Sequence, residues 1–320
     1  MRILNAKEML AAVNPEKIIA AIEKALVTLD GGDYYMPNRM HLEYRGNTQL
    51  LMPAFLPEIS GTKLVSLFPG NAKKNQPLLQ GIMLLQSGET GKPLALIEGS
   101  KLTAIRTAAV GSTGIKWLAP PESENIGIIG AGVQGYHQAW FACKIGRAKR
   151  LICYDKTPEK AESLLKDLKA EFQNLETMLA KDARELCREA DVIITATTSS
   201  APVMPDDSDL LEHKTIIGIG SYKPEMREFS EAVYQSMDHC FVDTQHATKE
   251  SGDLRLPLAE KWISGIQISL LSDVIAGKRK MAFPGTYVFK SVGMALFDLF
   301  VAEEIYNYAS KNKMGIEIDF

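Results

Sequence analysis

The chain reads as an α/β protein of two domains, a mixed α+β part followed by a doubly wound part, and three observations predict it. Residues 36–97 alternate strand-like runs with turn residues. From residue 120 onward, apolar strand-like runs alternate with amphipathic helical stretches, the pattern of a parallel sheet covered by helices. Residues 126–155, IGIIGAGVQGYHQAWFACKIGRAKRLICYD, run strand, glycine turn, helix, strand and acid in that order. Gly130, Gly132 and Gly135 form a GxGxxG motif: a tight turn, a close approach of backbone to a pyrophosphate, and close helix–strand packing. The helix start at Val133 and Gln134 offers unpaired N–H groups to an anion. Asp155 ends the second strand, where a carboxylate can accept hydrogen bonds from an adenosine ribose. The second domain is therefore expected to be a Rossmann dinucleotide-binding domain.

Each element follows in order. Asn14-Pro15 reads as an N-cap with proline at the first helical position, and Ile18, Ile19, Ile22, Ala25, Leu26 and Leu29 form one helical face closed by Gly31-Gly32. The runs HLEYRGNTQLLMPAFL, GTKLVSLFPGN and GIMLLQSGETGKPLALIEG predict strands, with a hairpin turn at Glu89-Thr90-Gly91-Lys92-Pro93. Helical spacing covers 102–118, and Pro120-Pro121 closes it and marks the expected domain boundary. Helices are predicted over 158–172 and 181–189, buried strands over 191–197 and 215–220, a last short strand over 240–243, and a long helix over 289–308. The expected domains are 1–119, completed by a C-terminal helix about 289–320, and 120–288. Such a layout leaves a cleft in which a cofactor and a small substrate would meet.

Composition narrows the function. The 320 residues are 46% hydrophobic and 23% charged, ordinary for a globular protein with substantial cores. A net charge of −3 argues against nucleic acid as a partner, since no basic excess exists to neutralise phosphates. No run of eighteen apolar residues predicts a membrane span, and MRILNAKEML has no signal-like apolar core. Cys143, Cys153, Cys187 and Cys240 form no CxxC pair, and a reducing cytoplasm is the simplest expected setting. His41, His137, His213, His239 and His246 lack metal-ligand spacing, so no metal is expected; His239, Cys240 and Asp243 read as structural. GxSxG, HExxH and P-loop motifs do not occur.

Three cations lie in segments that are otherwise apolar or turn-rich: Arg39, Lys63 and Arg106. Arg106 sits in LTAIRTAAVGSTGIKWL, where an arginine implies a salt bridge or an anionic ligand. Lys63, in GTKLVSLF, could lose a proton at modest pH if desolvated and so act as acid or base. Each cation taken alone is also compatible with a structural ion pair or an exposed side chain.

The runs GTKLVSLFPGN, GKPLALIEGSKLTAIRTAAVG, IGIIGAGVQG, IGSYKPEMREFS and YVFKSVGMALFDL resemble the ornithine cyclodeaminase/mu-crystallin family, in order along nearly the whole chain. The resemblance implies a homodimer whose first domain, with the C-terminal helix, binds substrate and makes the dimer contact. It implies Arg39 and Arg106 on a substrate carboxylate, Lys63 beside the reacting carbon or nitrogen, and Lys63 and Arg106 as the catalytic pair. It also implies cofactor contacts at Gly130, Gly132, Val133, Gln134, Gly135, Asp155, Thr197, Ile219, Gly220 and Ser291, with Ser291 and Val292 reaching the substrate from the returning helix.

Two departures separate the chain from the family's cyclodeaminases. Tyr222 stands in the loop where they carry an aspartate acting on the substrate's amines, and Leu78 stands where they carry a threonine. An unperturbed tyrosine, with a pKa of about 10, is a poor base for those steps, although Glu225 or Glu228 could substitute. Asp155 would repel a 2′-phosphate, which favours NAD(H); Lys156 beside it keeps NADP(H) open. The expected function is reduction at the carbon–nitrogen bond of a small α-imino acid, of the cyclic ketimine (pyrroline-2-carboxylate) type. The rivals are ornithine cyclodeamination, a linear amino-acid dehydrogenase such as alanine dehydrogenase, and a binding protein without turnover.

Overall fold

The computed structural model describes residues 1–319, Ala72 by its backbone only. The chain divides into two compact units, 1–106 with 294–320, and 107–293. The first unit opens with β1 (Arg2–Leu4), α1 (Ala6–Ala11) and α2 (Pro15–Gly31). In α2 the Asn14 side chain accepts from Lys17 N at 3.1 Å and Pro15 occupies the first turn, so two of the orphan N–H groups at the helix start are dealt with by sequence alone. A meander follows: β2 (Met40–Tyr44), β3 (Asn47–Phe55), β4 (Ile59–Leu67), β5 (Leu79–Ser87) and β6 (Pro93–Glu98). Helix α3 (Gly99–Leu118) then runs without a break past the division, which falls between Arg106 and Thr107 rather than at Pro120-Pro121. The cause is the second half of α3. Thr107 O accepts from Gln138 Nε2 at 2.9 Å and Leu118 O accepts from Thr215 Oγ1 at 3.2 Å, tying that half to the second unit. The proline pair ends a helix there, not a unit.

The second unit holds β7 (Asn125–Ile129), α4 (Val133–Lys144), β8 (Arg150–Tyr154), α5 (Pro158–Glu171), β9 (Glu176–Leu179), α6 (Ala183–Glu189), β10 (Val192–Thr195) and β11 (Thr215–Gly218). Then come α7 (Glu231–Ser236), β12 (His239–Val242), α8 (Ala247–Glu250), α9 (Gly252–Ala259), β13 (Ile268–Leu270), α10 (Leu271–Ile275) and β14 (Tyr287–Lys290). Its eight strands are all parallel, in the order β13-β12-β14-β11-β10-β7-β8-β9. The central strands are buried along their whole length, as parallel strands covered on both faces must be. The strand over 240–243 is therefore not the last. Two more follow, and residues 289 and 290, expected as the start of the long helix over 289–308, belong to a central strand, β14, between β11 and β12. A short apolar run carries no period that separates a buried strand from a helix.

The chain turns through Ser291–Gly293, with Gly293 at φ 76°, and returns as α11 (Ala295–Lys311) and β15 (Ile316–Glu317), both in the first unit. There the sheet order is β15-β1-β6-β5-β4-β3-β2, and β1 runs parallel to β6 and antiparallel to β15. Helix α11 packs on β3, β4 and β5. Side chains alternate across a strand, so Lys63 and its cross-strand neighbours Met52 and Met83 lie on the buried face, while Leu64 and its neighbours Leu51 and Ile82 lie on the other.

Candidate active site

In the first unit, β4 supplies Lys63 and α3 supplies Arg106. Lys63 is 1% exposed and Arg106 8% exposed. Both meet one carboxylate oxygen: Lys63 Nζ donates to Asp298 Oδ1 at 2.8 Å, and Arg106 Nε donates to the same atom at 3.0 Å. Asp298 lies in the first turn of α11, fully buried, where the positive end of the helix dipole favours an anion. Its Oδ2 has no hydrogen-bond partner among the described residues. Burial and, after it, the Arg106 charge lower the Lys63 pKa from its ordinary 10.5 to about 7. Asp298 opposes this and the more distant Arg39 charge adds to it. The lysine is thus held near the pH at which it can both give and take a proton. Arg39 is half-buried just before β2.

In the second unit, β7 feeds the glycine turn. Gly130 has φ 102°, which L-residues avoid, and a Cβ on Gly135 would lie 1.9 Å from Gly130 O. Gly132 caps α4 without any side-chain hydrogen bond, and a Cβ added to it would meet nothing within 4 Å. Val133 is 67% exposed and Gln134 Oε1 is buried with no partner among the described residues. An open turn at a helix N-terminus suits the pyrophosphate of a dinucleotide, and the orphaned Gln134 oxygen suits a hydroxyl or amide donor on the same ligand. Asp155 is tied to this turn: Oδ2 accepts from Ala131 N and Oδ1 from Thr157 N, each at 2.8 Å.

Thr197, Ile219 and Gly220 follow β10 and β11, and Glu228 binds Thr197 and Gly220 together. Glu228 Oε1 accepts from Thr197 N at 2.7 Å and Thr197 Oγ1 at 2.8 Å. Its Oε2 accepts from Thr195 Oγ1 at 2.9 Å, Gly220 N at 2.8 Å and Ser221 N at 3.1 Å. Ile219 N donates to Thr195 O at 2.9 Å, closing the same junction through the backbone. Glu228 is wholly buried, and burial raises its pKa despite the nearby Lys290 ammonium. Every lone pair that a base would use is engaged, so Glu228 is structural and the expectation that it could replace a missing base is corrected. Glu225 is exposed and Tyr222 half-buried in the loop after β11; Leu78, just before β5, is 52% exposed. Ser291 and Val292 lie in the turn before α11, not on it. Ser291 Oγ donates to the buried Asp243 at 2.6 Å, and Val292 N and Gly293 N donate to the same Asp243 Oδ2 at 3.0 and 2.7 Å.

Sequence reasoning missed Asp298, the tie from Asp243 to Ser291, and the full commitment of Glu228, although Asp243 itself reads as structural from the sequence. Asp298 was findable by the argument applied to Arg106, since it is a lone charge in the apolar run ALFDLFV. Among the described residues no group of three or more His, Cys, Asp or Glu is placed to hold a metal ion, and no helix is long and apolar enough to cross a membrane.

A doubly wound parallel sheet with an open glycine turn, joined in one chain to an α+β unit holding a buried cation cluster, defines an α/β protein of the dinucleotide-binding oxidoreductase class. The chain belongs to the ornithine cyclodeaminase/mu-crystallin family, whose family model matches residues 2–313. It is 32% identical over 330 aligned positions to a Delta(1)-pyrroline-2-carboxylate reductase of Bacillus cereus, covering 100% of both chains. Among solved structures it is similar to Thermococcus litoralis Delta(1)-pyrroline-2-carboxylate reductase in complex with NADH and L-proline. There the TM-score is 0.92 at 30% identity, with 99% of this chain and 100% of that one covered. An archaeal alanine dehydrogenase dimer with bound NAD gives a TM-score of 0.91 at 27% identity, covering 100% and 99%.

Proposed function

We propose that the protein is an NAD(H)-dependent reductase of cyclic ketimines, converting a pyrroline-2-carboxylate-type imino acid to the corresponding amino acid. The observation that carries this reading is the buried Lys63–Asp298–Arg106 cluster, with a lysine near neutrality, in a chain similar end to end to a reductase of that name. Arg39 and Arg106 would receive the substrate carboxylate; Arg106 touches Asp298 through Nε alone, so its fork remains suited to a second, bidentate partner. Lys63 would give its proton to the ring nitrogen, so that the C=N double bond becomes a C–N single bond with one new hydrogen on each atom. NADH, when bound, supplies the hydride that the imine carbon takes. The residues suited to hold it are Gly130, Gly132, Val133, Gln134, Gly135, Asp155, Thr197, Ile219 and Gly220. The hydroxyl of Ser291, its proton committed to Asp243, would meet cofactor or substrate as an acceptor, with Val292 beside it. A carboxylate at Asp155 favours NAD(H) over NADP(H) by repulsion of a 2′-phosphate.

The substrate is a small amino or imino acid, and the partner is a second copy of the chain. The uncovered face of the first unit's sheet supports the latter. Met40, Leu51, Leu64 and Ile82 form one cross-strand row there, with Met40 56% and Ile82 45% exposed, and Leu42 and Phe55 extend it. Cytoplasmic residence fits four free cysteines, all buried.

Loss of NADH absorbance on adding pyrroline-2-carboxylate tests the function. Cyclodeamination is the opposing outcome: release of ammonia from ornithine with only trace NAD, and no imine reduction, would overturn the reductase reading. Alanine and pyruvate plus ammonia belong in the same panel, because one similar structure is an alanine dehydrogenase.

A further inference from the structure

We propose that Asp298 is a positioning residue for imine reduction: its Oδ1 aims the Lys63 ammonium and the Arg106 guanidinium from one point and keeps the lysine supplied as the proton donor. This deepens the reductase reading and rests on it. A purely structural ion pair this deeply buried would be expected to engage both carboxylate oxygens, since an unpaired buried acceptor is costly. Here both cations converge on Oδ1, and Oδ2 has no partner among the described residues. The geometry instead sets the distance between the group that would hold the substrate carboxylate and the group that would protonate the nitrogen.

The charge balance points the same way. Around the Lys63 Nζ stand Arg106 from α3 and Arg39 from the segment before β2, both repelling its proton, and Asp298 from α11, retaining it. β3 and β5 present the uncharged Met52 and Met83 beside Lys63. On α2, Lys17 pairs with Glu304 of α11 at 3.5 Å and Lys24 lies 4.9 Å from the centre of the Phe300 ring; Glu303, also on α11, feels Lys24, Glu58 and Glu304. Asp298 is thus the anion that retains the Lys63 proton, and without it burial and two arginines would strip that proton at working pH.

The test is the pH profile of kcat/KM for pyrroline-2-carboxylate reduction in the wild type and in Asp298→Asn, with NADH affinity followed by fluorescence as a check on folding. Wild-type activity should fall as pH rises through about 7. In Asp298→Asn that fall should move at least about one pH unit lower, so that activity at pH 8 drops roughly tenfold or more and recovers in part below pH 6. A folded Asn variant whose profile falls at the wild-type pH overturns the proposal. If the Asn variant does not fold, Asp298→Glu decides: the same pH midpoint with reduced kcat supports a positioning role, and unchanged kcat overturns it. If the wild type reduces no cyclic imino acid, the reductase reading fails by itself. The Lys63 titration, read by NMR on lysine-labelled protein with NADH, then tests Asp298 alone: a lower midpoint in the Asn variant supports its role, and an equal midpoint rejects it.

Discussion

At the scale of single residues, the proposed chemistry draws on Lys63 and on Gly132, where an added Cβ would meet nothing within 4 Å. Lys63→Met keeps the volume of the side chain and removes the proton. Imine reduction should fall by about 10²–10⁴-fold, the range for loss of a general acid, with NADH affinity unchanged in a fluorescence titration. The sign of the pH effect follows from the direction of the shift. The folded pKa is lowered to about 7, and with the protonated form as the proposed donor the wild-type rate should decline above that pH, whereas the residual rate of the Met variant should lack that limb. Gly132→Ala asks a different question. The position has an ordinary φ of −79° and open space, so the fold should tolerate the methyl group, with an unchanged melting temperature. A pyrophosphate approaching that backbone would not tolerate it, and Kd for NADH should rise at least about tenfold, one to two kcal/mol of close contact. Equal affinity in the Ala variant would remove Gly132 from the cofactor cradle. Lys63 and Arg106 were legible as charges in apolar runs, because such charges need a partner. Their shared partner was not, because Asp298 lies 235 residues from Lys63 and nothing local links them.

At the scale of elements, local signals read well where they are periodic and poorly where they are short. α2 was legible through its cap and apolar face, and the meander through alternation. Over residues 287–290 the signal failed: four buried residues fit a strand or a helix start equally, and the sheet decides. β9 escaped notice because its residues are largely exposed and show no alternation. Element ends also carry stability that composition hides. Asp191 Oδ2, just before β10, accepts from Glu124 N at 3.1 Å and from Asn125 N and Asn125 Nδ2 at 2.9 Å, pinning the start of β7. Asp191→Ala leaves these donors unmatched, and denaturant unfolding should show a loss of about 1–3 kcal/mol. A loss below about 0.5 kcal/mol would mean that water replaces the carboxylate.

At the scale of the whole molecule, the two-part organisation was legible from the change in pattern along the chain, but the boundary was not. Prolines mark the end of α3, while the division follows hydrogen bonds made by its second half. Ile82→Glu puts a charge in the middle of the uncovered apolar row without touching the buried face, so if the proposed dimer forms there, light scattering should show a dimeric wild type and a monomeric variant with the secondary structure intact. A variant that remains dimeric would send the contact elsewhere.

The Lys63–Asp298 pair also has a consequence in time. During synthesis Lys63 is made early, and the acid that neutralises it is made only after the whole parallel-sheet unit. Covering β4 before then would bury the Lys63 ammonium without the Asp298 carboxylate, a penalty of several kcal/mol. The buried face of the meander is therefore expected to close over β4 only once α11 is available to pack on it. The first unit is completed only by the returning helix α11, a stretch made after the whole second unit.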